Sequence, residues 1–403
     1  MKTFESLGVS LPLCNRLNQM GINTPTPIQS KAIPVALDRR DIIGSAQTGT
    51  GKTLAYTIPM IESMLSNNNK SSLILTPTRE LAGQVTDNIS KVLAGFKSIN
   101  RLALLVGGEH ISKQIRQLKQ RPRFIIGTPG RVIDHLTSGN LLLNNISHFV
   151  LDETDRMLDM GFSDQLDQII KYLPLHRQTM LYSATIPKVI EKLSRKFLNN
   201  PLKITIDEEI FNANKIKQGI LFMKENQKFD DFLLQLQNRE GSIIVFMKTK
   251  ASTERMAIKL KNIGHKVSAI HGDLRQSQRN RILENFRNKK YKILVATDVA
   301  ARGLDIPHIE HVINYDLPQC PEDYIHRIGR TGRAGAEGET VCYVTPEQKK
   351  KWVLIDKLYN VSNIQIADSE NNKPKGRKKN SRNENRVKRK RYSHGRETRS
   401  RVL

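Results

Sequence analysis

The sequence predicts an α/β chain of two parallel-sheet domains in tandem, with a disordered basic C-terminal tail. Three observations carry this. Short, continuous apolar runs alternate with helical segments. A polar stretch without a clear period divides the runs into two series. The last 33 residues abandon the pattern for charge. A length of 403 residues agrees, at about 100–200 residues per domain.

The first series comprises Asp41–Ser45 (DIIGS), Ser72–Thr76 (SLILT), Arg123–Gly127 (RFIIG), His148–Leu151 (HFVL) and Thr179–Tyr182 (TMLY). The second comprises Ser242–Met247 (SIIVFM), Lys266–Ile270 (KVSAI), Lys292–Ala296 (KILVA), His311–Tyr315 (HVINY) and Thr340–Val344 (TVCYV). Continuous apolar strands separated by helices indicate sheets covered on both faces, hence parallel ones. Between the series lies Ile206–Lys217 (IDEEIFNANKIK). The expected boundaries are a first domain over 1–206, a linker over 207–214, a second domain over 215–365 and a tail over 366–403. From Asn371 to Leu403 there are 14 Lys or Arg against two Glu, a net +12, with Tyr392 the single aromatic. Such a segment cannot bury enough surface to offset its ordering entropy. A solubilising tail need not be so one-sided, which favours an electrostatic arm for nucleic acid.

Composition excludes several classes. No run approaches the roughly 18 apolar residues of a membrane span. Met1–Ser10 (MKTFESLGVS) contains no apolar secretory region. Cys14, Cys320 and Cys342 lie far apart and form no CxxC pair, which excludes a disulfide scaffold or zinc ribbon and fits a reducing cytosol. Net charge is +26, from 65 basic and 39 acidic residues. A polyanion is the expected partner, nucleic acid first. A membrane surface would require a basic amphipathic helix or a lipidation signal, and neither is found.

Ligands of parallel α/β sheets bind at the carboxyl ends of the strands. Directly after the first strand stands Ala46–Thr53 (AQTGTGKT), before the helical Leu54–Leu65. This is a phosphate loop in its proper context. Gly49 and Gly51 let the backbone turn so that successive N–H groups face phosphate, and the following helix adds its positive end. Lys52 reaches the β and γ phosphates, and the Thr53 hydroxyl can ligate Mg²⁺. Ala46 departs from the pattern, standing where its first glycine belongs. Gln47, Thr48 and Thr50 complete the loop. A second strand ends in Asp152-Glu153-Thr154-Asp155. Asp152 fits a Mg²⁺-holding carboxylate, and Glu153 can orient the attacking water. His326–Arg333 (HRIGRTGR) sets Arg327, Arg330 and Arg333 three apart, so on a helical turn they would project one way. Such a cluster suits a triphosphate whose charge grows in the transition state, with an effect of about 10³–10⁵ in rate.

In order and spacing, residues 4–345 resemble the DEAD-box RNA helicases. Phe4 precedes Gly21–Gln29 (GINTPTPIQ), similar to the Q motif. Then follow AQTGTGKT, Pro77–Ala82 (PTRELA), Gly107-Gly108, Thr128–Arg131 (TPGR), Asp152–Asp155 (DETD) and Ser183–Thr185 (SAT). Val245-Phe246 (VF), His271–Arg279 (HGDLRQSQR), Thr297–Asp305 (TDVAARGLD) and HRIGRTGR complete the set. Asp159–Phe162 (DMGF) and the basic tail resemble the bacterial RhlE-like subgroup. One motif departs from the family, with Thr154 in place of Ala; its hydroxyl is expected to bear on the linkage of Asp155 with Ser183 or Thr185.

The resemblance implies two RecA-like domains, with ATP and Mg²⁺ between them and RNA across both. It implies that Gln29 reads the adenine edge, framed by Ile22 and Thr24, and that Gly303 and Asp305 contact ribose. Arg330 and Arg333 would complete the γ-phosphate site on closure, with Asp155, Ser183, Thr185 and His326 as coupling residues. RNA contacts would come from Pro77, Thr78, Arg79, Gly108, Thr128 and Arg131, continued by Thr249, Gly272 and Thr297. Backbone N–H groups, hydroxyls and arginines suit phosphates and 2′-hydroxyls. Aromatics are 5% of the chain, so no stacking platform is evident and sequence-independent binding is expected. The implied activity is RNA-stimulated ATP hydrolysis that separates short duplexes, in a cytoplasmic monomer. An ATP-gated RNA clamp or chaperone shares every motif. A DNA translocase is opposed by PTRELA and the Q motif.

Overall fold

The apolar runs become strands because each can be buried on both sides. Phe124–Gly127 (FIIG) and Ser242–Phe246 (SIIVF) are buried at every position. The computed structural model describes residues 2–46, 49–66, 70–184, 186, 188–206, 216–301, 309–332 and 337–359. Its first seven strands are β1 (Ile42–Ser45), β2 (Ser71–Leu75), β3 (Leu102–Leu105), β4 (Phe124–Gly127), β5 (Ile146–Leu151), β6 (Gln178–Ser183) and β7 (Leu202–Thr205). They form one parallel sheet in the order β3-β4-β2-β5-β6-β1-β7. A second parallel sheet holds β8 (Ile216–Phe222), β9 (Ser242–Phe246), β10 (Val267–Ile270), β11 (Ile293–Ala296), β12 (Ile309–Asn314) and β13 (Gly338–Val344). Its order is β10-β11-β9-β12-β13-β8.

Side chains alternate between faces, so each sheet carries a core on both sides. In β2, Ile74 joins one core cluster while Leu73 and Leu75 join the other. In β9, Ile243 and Val245 face one cluster and Ile244 and Phe246 the other. Met1–Ala367 packs as one compact unit that contains both sheets. The linker expected over 207–214 and the tail expected over 366–403 lie outside the described residues.

Three strands do not coincide with the apolar runs: β3, β7 and β8. All three are edge strands, and in β7 and β8, where one flank meets solvent, polar residues are tolerated. Thus β7 reads LKIT and β8 reads IKQGILF, with exposed positions interleaved. In the first sheet β5, β6 and β1 are consecutive and parallel, so their carboxyl ends open side by side. That edge is where the phosphate loop and DETD meet.

Candidate functional site

The phosphate loop leaves β1 anchored to its neighbour, since Ala46 N donates to Ser183 O at 3.1 Å. Gly49 (φ 87°) and Gly51 (φ 93°) adopt the left-handed conformation that side chains disfavour. A Cβ on Gly51 would also meet Gln29 Nε2 at 2.4 Å. Ala46 is not among the positive-φ residues, so a methyl at the loop's first position meets no backbone penalty. Lys52 opens the helix Lys52–Ser66, and its buried Nζ donates to Ala46 O at 2.8 Å. Gln47 and Thr48 lie outside the described residues.

Asp152 is buried at the end of β5, and its Oδ2 accepts from Tyr56 Oη at 3.0 Å. Its Oδ1 is buried with no hydrogen-bond partner among the described residues. Burial pushes the carboxyl up to about 6, against the pull of Lys52. A buried carboxylate oxygen without a protein partner, beside a loop built for phosphates, fits a hard divalent cation. Thr53 is half-buried one helical turn before Tyr56.

Glu153 sits at φ 53°, strained for a residue with a side chain. Its carboxylate pairs with Arg156 NH1 at 2.8 Å, both side chains being buried. Burial alone would raise its pKa, but Arg156, Lys52 and Arg330 outweigh burial and hold it at about 2. Glu153 is therefore an anion at neutral pH.

The Thr154 hydroxyl stays off the Ser183 linkage. It lies 3.2 Å from Leu151 O and 3.1 Å from Tyr182 O, so it ties the ends of β5 and β6 through backbone carbonyls. The linkage is intact beside it. Ala184 N donates to Asp155 Oδ2 at 3.0 Å, and Asp155 N donates to Ser183 Oγ at 3.3 Å. Thr185 lies outside the described residues.

Gln29 lies in the helix Pro27–Leu37 with both ends of its amide engaged inside the protein. Oε1 accepts from Thr26 N at 2.9 Å, closing a capping box, and Nε2 donates to Gly51 O at 3.0 Å. In this state it joins the Q motif to the phosphate loop, and reading a base would require an exchange of these partners. Ile22 is half-buried nearby in sequence, and Thr24 is exposed.

The arginine triplet divides. Its helix, Pro321–Ile328, ends before Arg330, so Arg327 and Arg330 do not project one way as expected. Arg327 is 2% exposed and turned inward, bonding Asp298 Oδ2 at 2.8 Å and Asn314 Oδ1 at 3.1 Å. A fork of donors at a half-buried carboxylate, from an arginine that is itself buried, is a structural use of arginine. Arg330 Nε donates to His326 O at 3.0 Å, and the Arg330 charge is one of those that hold Glu153 down. His326 is half-buried; Arg333, Gly303 and Asp305 lie outside the described residues.

A cleft of about 490 Å³ brings Pro77, Thr78, Arg79, Thr128, Arg131 and Gly272 together. Gly108 (φ 81°) borders it, and a Cβ there would meet Arg79 NH1 at 2.4 Å. Thr249 and Thr297 are not in its lining: Thr249 caps the helix Lys250–Asn262, and Thr297 is buried after β11. The cleft also contains Glu80, Gln276 and Arg279, which sequence reasoning does not single out although PTRELA and HGDLRQSQR contain them. Glu80 Oε1 accepts from Gln276 Nε2 and from Arg279 NH2, each at 3.0 Å, across the two halves.

A phosphate loop and paired carboxylates at the strand ends of one parallel sheet, with an arginine supplied beside the second, define a two-domain helicase-type nucleotide hydrolase. Residues 26–193 match the DEAD/DEAH box helicase model and 205–335 the helicase conserved C-terminal domain, and the chain belongs to the DEAD-box ATP-dependent RNA helicases. It is 44% identical over 351 residues to the DEAD-box ATP-dependent RNA helicase CshA of Geobacillus kaustophilus, covering 86% of this chain and 74% of that one. It is 42% identical over 350 residues to the CshA of Bacillus subtilis, covering 86% and 70%. Among solved structures it is similar to S. cerevisiae Dbp5 bound to RNA and ADP-BeF3, with a TM-score of 0.80, 33% identity and coverage of 91% and 95%. It is also similar to Mss116p bound to ssRNA and AMP-PNP, with a TM-score of 0.81, 29% identity and coverage of 89% and 78%. The activity that this membership carries is RNA-stimulated ATP hydrolysis coupled to RNA unwinding.

Proposed function

We propose that ATP binds where β1, β6 and β5 end, and that its hydrolysis is completed by arginines of the second domain. The observation that carries this is the buried cluster of Lys52, Asp152 and Glu153, with the charge of Arg330 reaching it. Lys52 Nζ exchanges Ala46 O for the β and γ phosphates. The loop N–H groups of residues 46–51 hold the remaining oxygens. Thr53 and Asp152 hold Mg²⁺, which when bound would neutralise charge on the phosphate oxygens. Glu153 stays ionised and orients the attacking water. Arg330 and Arg333 meet the charge that grows on the γ-phosphoryl group. Gln29, with Ile22 and Thr24, meets the base once its amide leaves Gly51 O, and Gly303 and Asp305 meet the ribose.

RNA lies along the cleft lined by Pro77, Thr78, Arg79, Thr128, Arg131 and Gly272, with Gly108, Thr249 and Thr297 extending the track. The RNA-bound states of Dbp5 and Mss116p support that reading. The contacts address the backbone, so binding is independent of sequence. Asp155, Ser183, Thr185 and His326 couple the two sites. The working domains are 1–206 and 215–365, joined by 207–214. The protein acts as a monomer in the cytoplasm, a reducing compartment that suits the buried thiols of Cys14 and Cys342.

ATP turnover with single-stranded RNA or DNA as activator, paired with displacement of a short RNA duplex, tests the proposal. Lys52→Ala is expected to abolish turnover with the fold intact. Glu153→Gln is expected to bind ATP and RNA in a long-lived complex and hydrolyse slowly. Normal turnover by Lys52→Ala would remove the phosphate-loop assignment. Equal activation by DNA would favour a translocase, and RNA activation without displacement would favour a clamp.

A further inference from the structure

Tyr56 occupies a position in the helix Lys52–Ser66 that reads as plain core, yet its hydroxyl is deployed at the site. The side chain is fully buried, so water cannot serve Oη. Oη donates its one proton to Asp152 Oδ2 at 3.0 Å. Thr53 stands three residues earlier, on the same face of the helix. Asp152 has Oδ2 occupied and Oδ1 buried without a partner.

We propose that Tyr56 is a positioning residue for the metal–nucleotide site, its hydroxyl orienting Asp152. The proposal rests on the reading of Asp152, together with Thr53, as the cation's ligands. Groups that orient ligands typically change metal affinity by about 10–100-fold when removed. The terminal torsion of an aspartate is soft, so without Oη the carboxylate loses its fixed orientation. The ring itself is held by packing: its centroid lies 5.5 Å from that of Tyr182, tilted at 52°. Tyr182 supplies an internal control. Its hydroxyl is also buried but has no hydrogen-bond partner among the described residues.

The test is binding of a fluorescent ADP to the full-length protein, titrated with Mg²⁺ from an EDTA baseline, without reading turnover. For Tyr56→Phe the Mg²⁺ concentration at half-effect should rise by about tenfold or more, while metal-free ADP affinity stays within about twofold of wild type. Tyr182→Phe should follow the wild-type curve. Superimposable curves for Tyr56→Phe and wild type would overturn the proposal. So would an equal shift in Tyr182→Phe, because ring packing would then be the cause. A wild-type affinity indifferent to Mg²⁺ has a separate meaning: it removes Thr53 and Asp152 as ligands, and this inference with them.

Discussion

Arg327 commits its guanidinium to the interior of the second sheet's loops, whereas Arg330 acts on Glu153 from beyond the helix end. Arg327→Ala should therefore leave Asp298 and Asn314 without their guanidinium partner, at a cost of about 1–3 kcal/mol, visible as a lower melting temperature in calorimetry. Arg330→Ala should lose about 10³-fold in RNA-stimulated hydrolysis, with little change in ATP affinity. If the two variants behaved alike in both assays, the division would be wrong. His148 gives a pH prediction. It is buried on β5 with Nδ1 facing the hydroxyls of Ser72 and Ser147, and burial drives its pKa from 6.5 to about 3. As pH falls below 6.5 the unfolded chain takes up a proton that the folded chain refuses. Stability should fall by roughly 1.4 kcal/mol per pH unit from this group, and plateau above 6.5. Melting temperatures of wild type and His148→Asn between pH 5 and 7.5 would diverge accordingly; parallel profiles would refute it. The residues of AQTGTGKT and DETD could be read from sequence because their chemistry is local. Tyr56 could not, since an aromatic in an apolar helix signals core, and only the fold brings β5 beneath it.

At the scale of elements, central strands announce themselves because both faces are covered, while β7 and β8 dilute the signal with solvent-facing residues. The same limit applies to contacts between the halves. Glu80 lies in the helix Arg79–Leu93 and Arg279 in the helix Gln276–Arg287, some two hundred residues on, and nothing in either motif alone names its partner. Their side chains are 5% and 12% exposed, so the pair is poorly screened. Glu80→Ala and Arg279→Ala should each weaken RNA binding. The double variant should be less impaired than the sum of the two by about 1–3 kcal/mol. Fluorescence anisotropy with one single-stranded RNA, in the presence of a non-hydrolysable ATP analogue, measures all four corners of the cycle. Strict additivity would mean that the bridge is not formed in the RNA-bound state.

At the scale of the molecule, charge is the dominant feature and it is unevenly placed. Residues 371–403 carry 14 of the 65 basic groups and only two of the 39 acidic ones. The remaining 370 residues hold +14, little more than the +12 of these 33. A backbone-reading cleft gains from such an arm, because released counterions favour binding to any RNA alike. Removal of 371–403 should leave basal ATP turnover intact, since every nucleotide motif ends by Arg333. It should weaken RNA binding across all sequences and flatten the slope of log affinity against log salt. Each RNA phosphate that the arm no longer neutralises lowers that slope by about 0.7 on a single strand. Fourteen cations on one arm will not all be engaged at once, so a change of about 2–5 in slope is expected by that rule. Titration of a fluorescent single-stranded RNA at several salt concentrations, with the full chain and with the chain ending at 370, measures it. Parallel lines would show that these residues do not touch RNA, and would leave solubility or docking to another protein as the work of their charge.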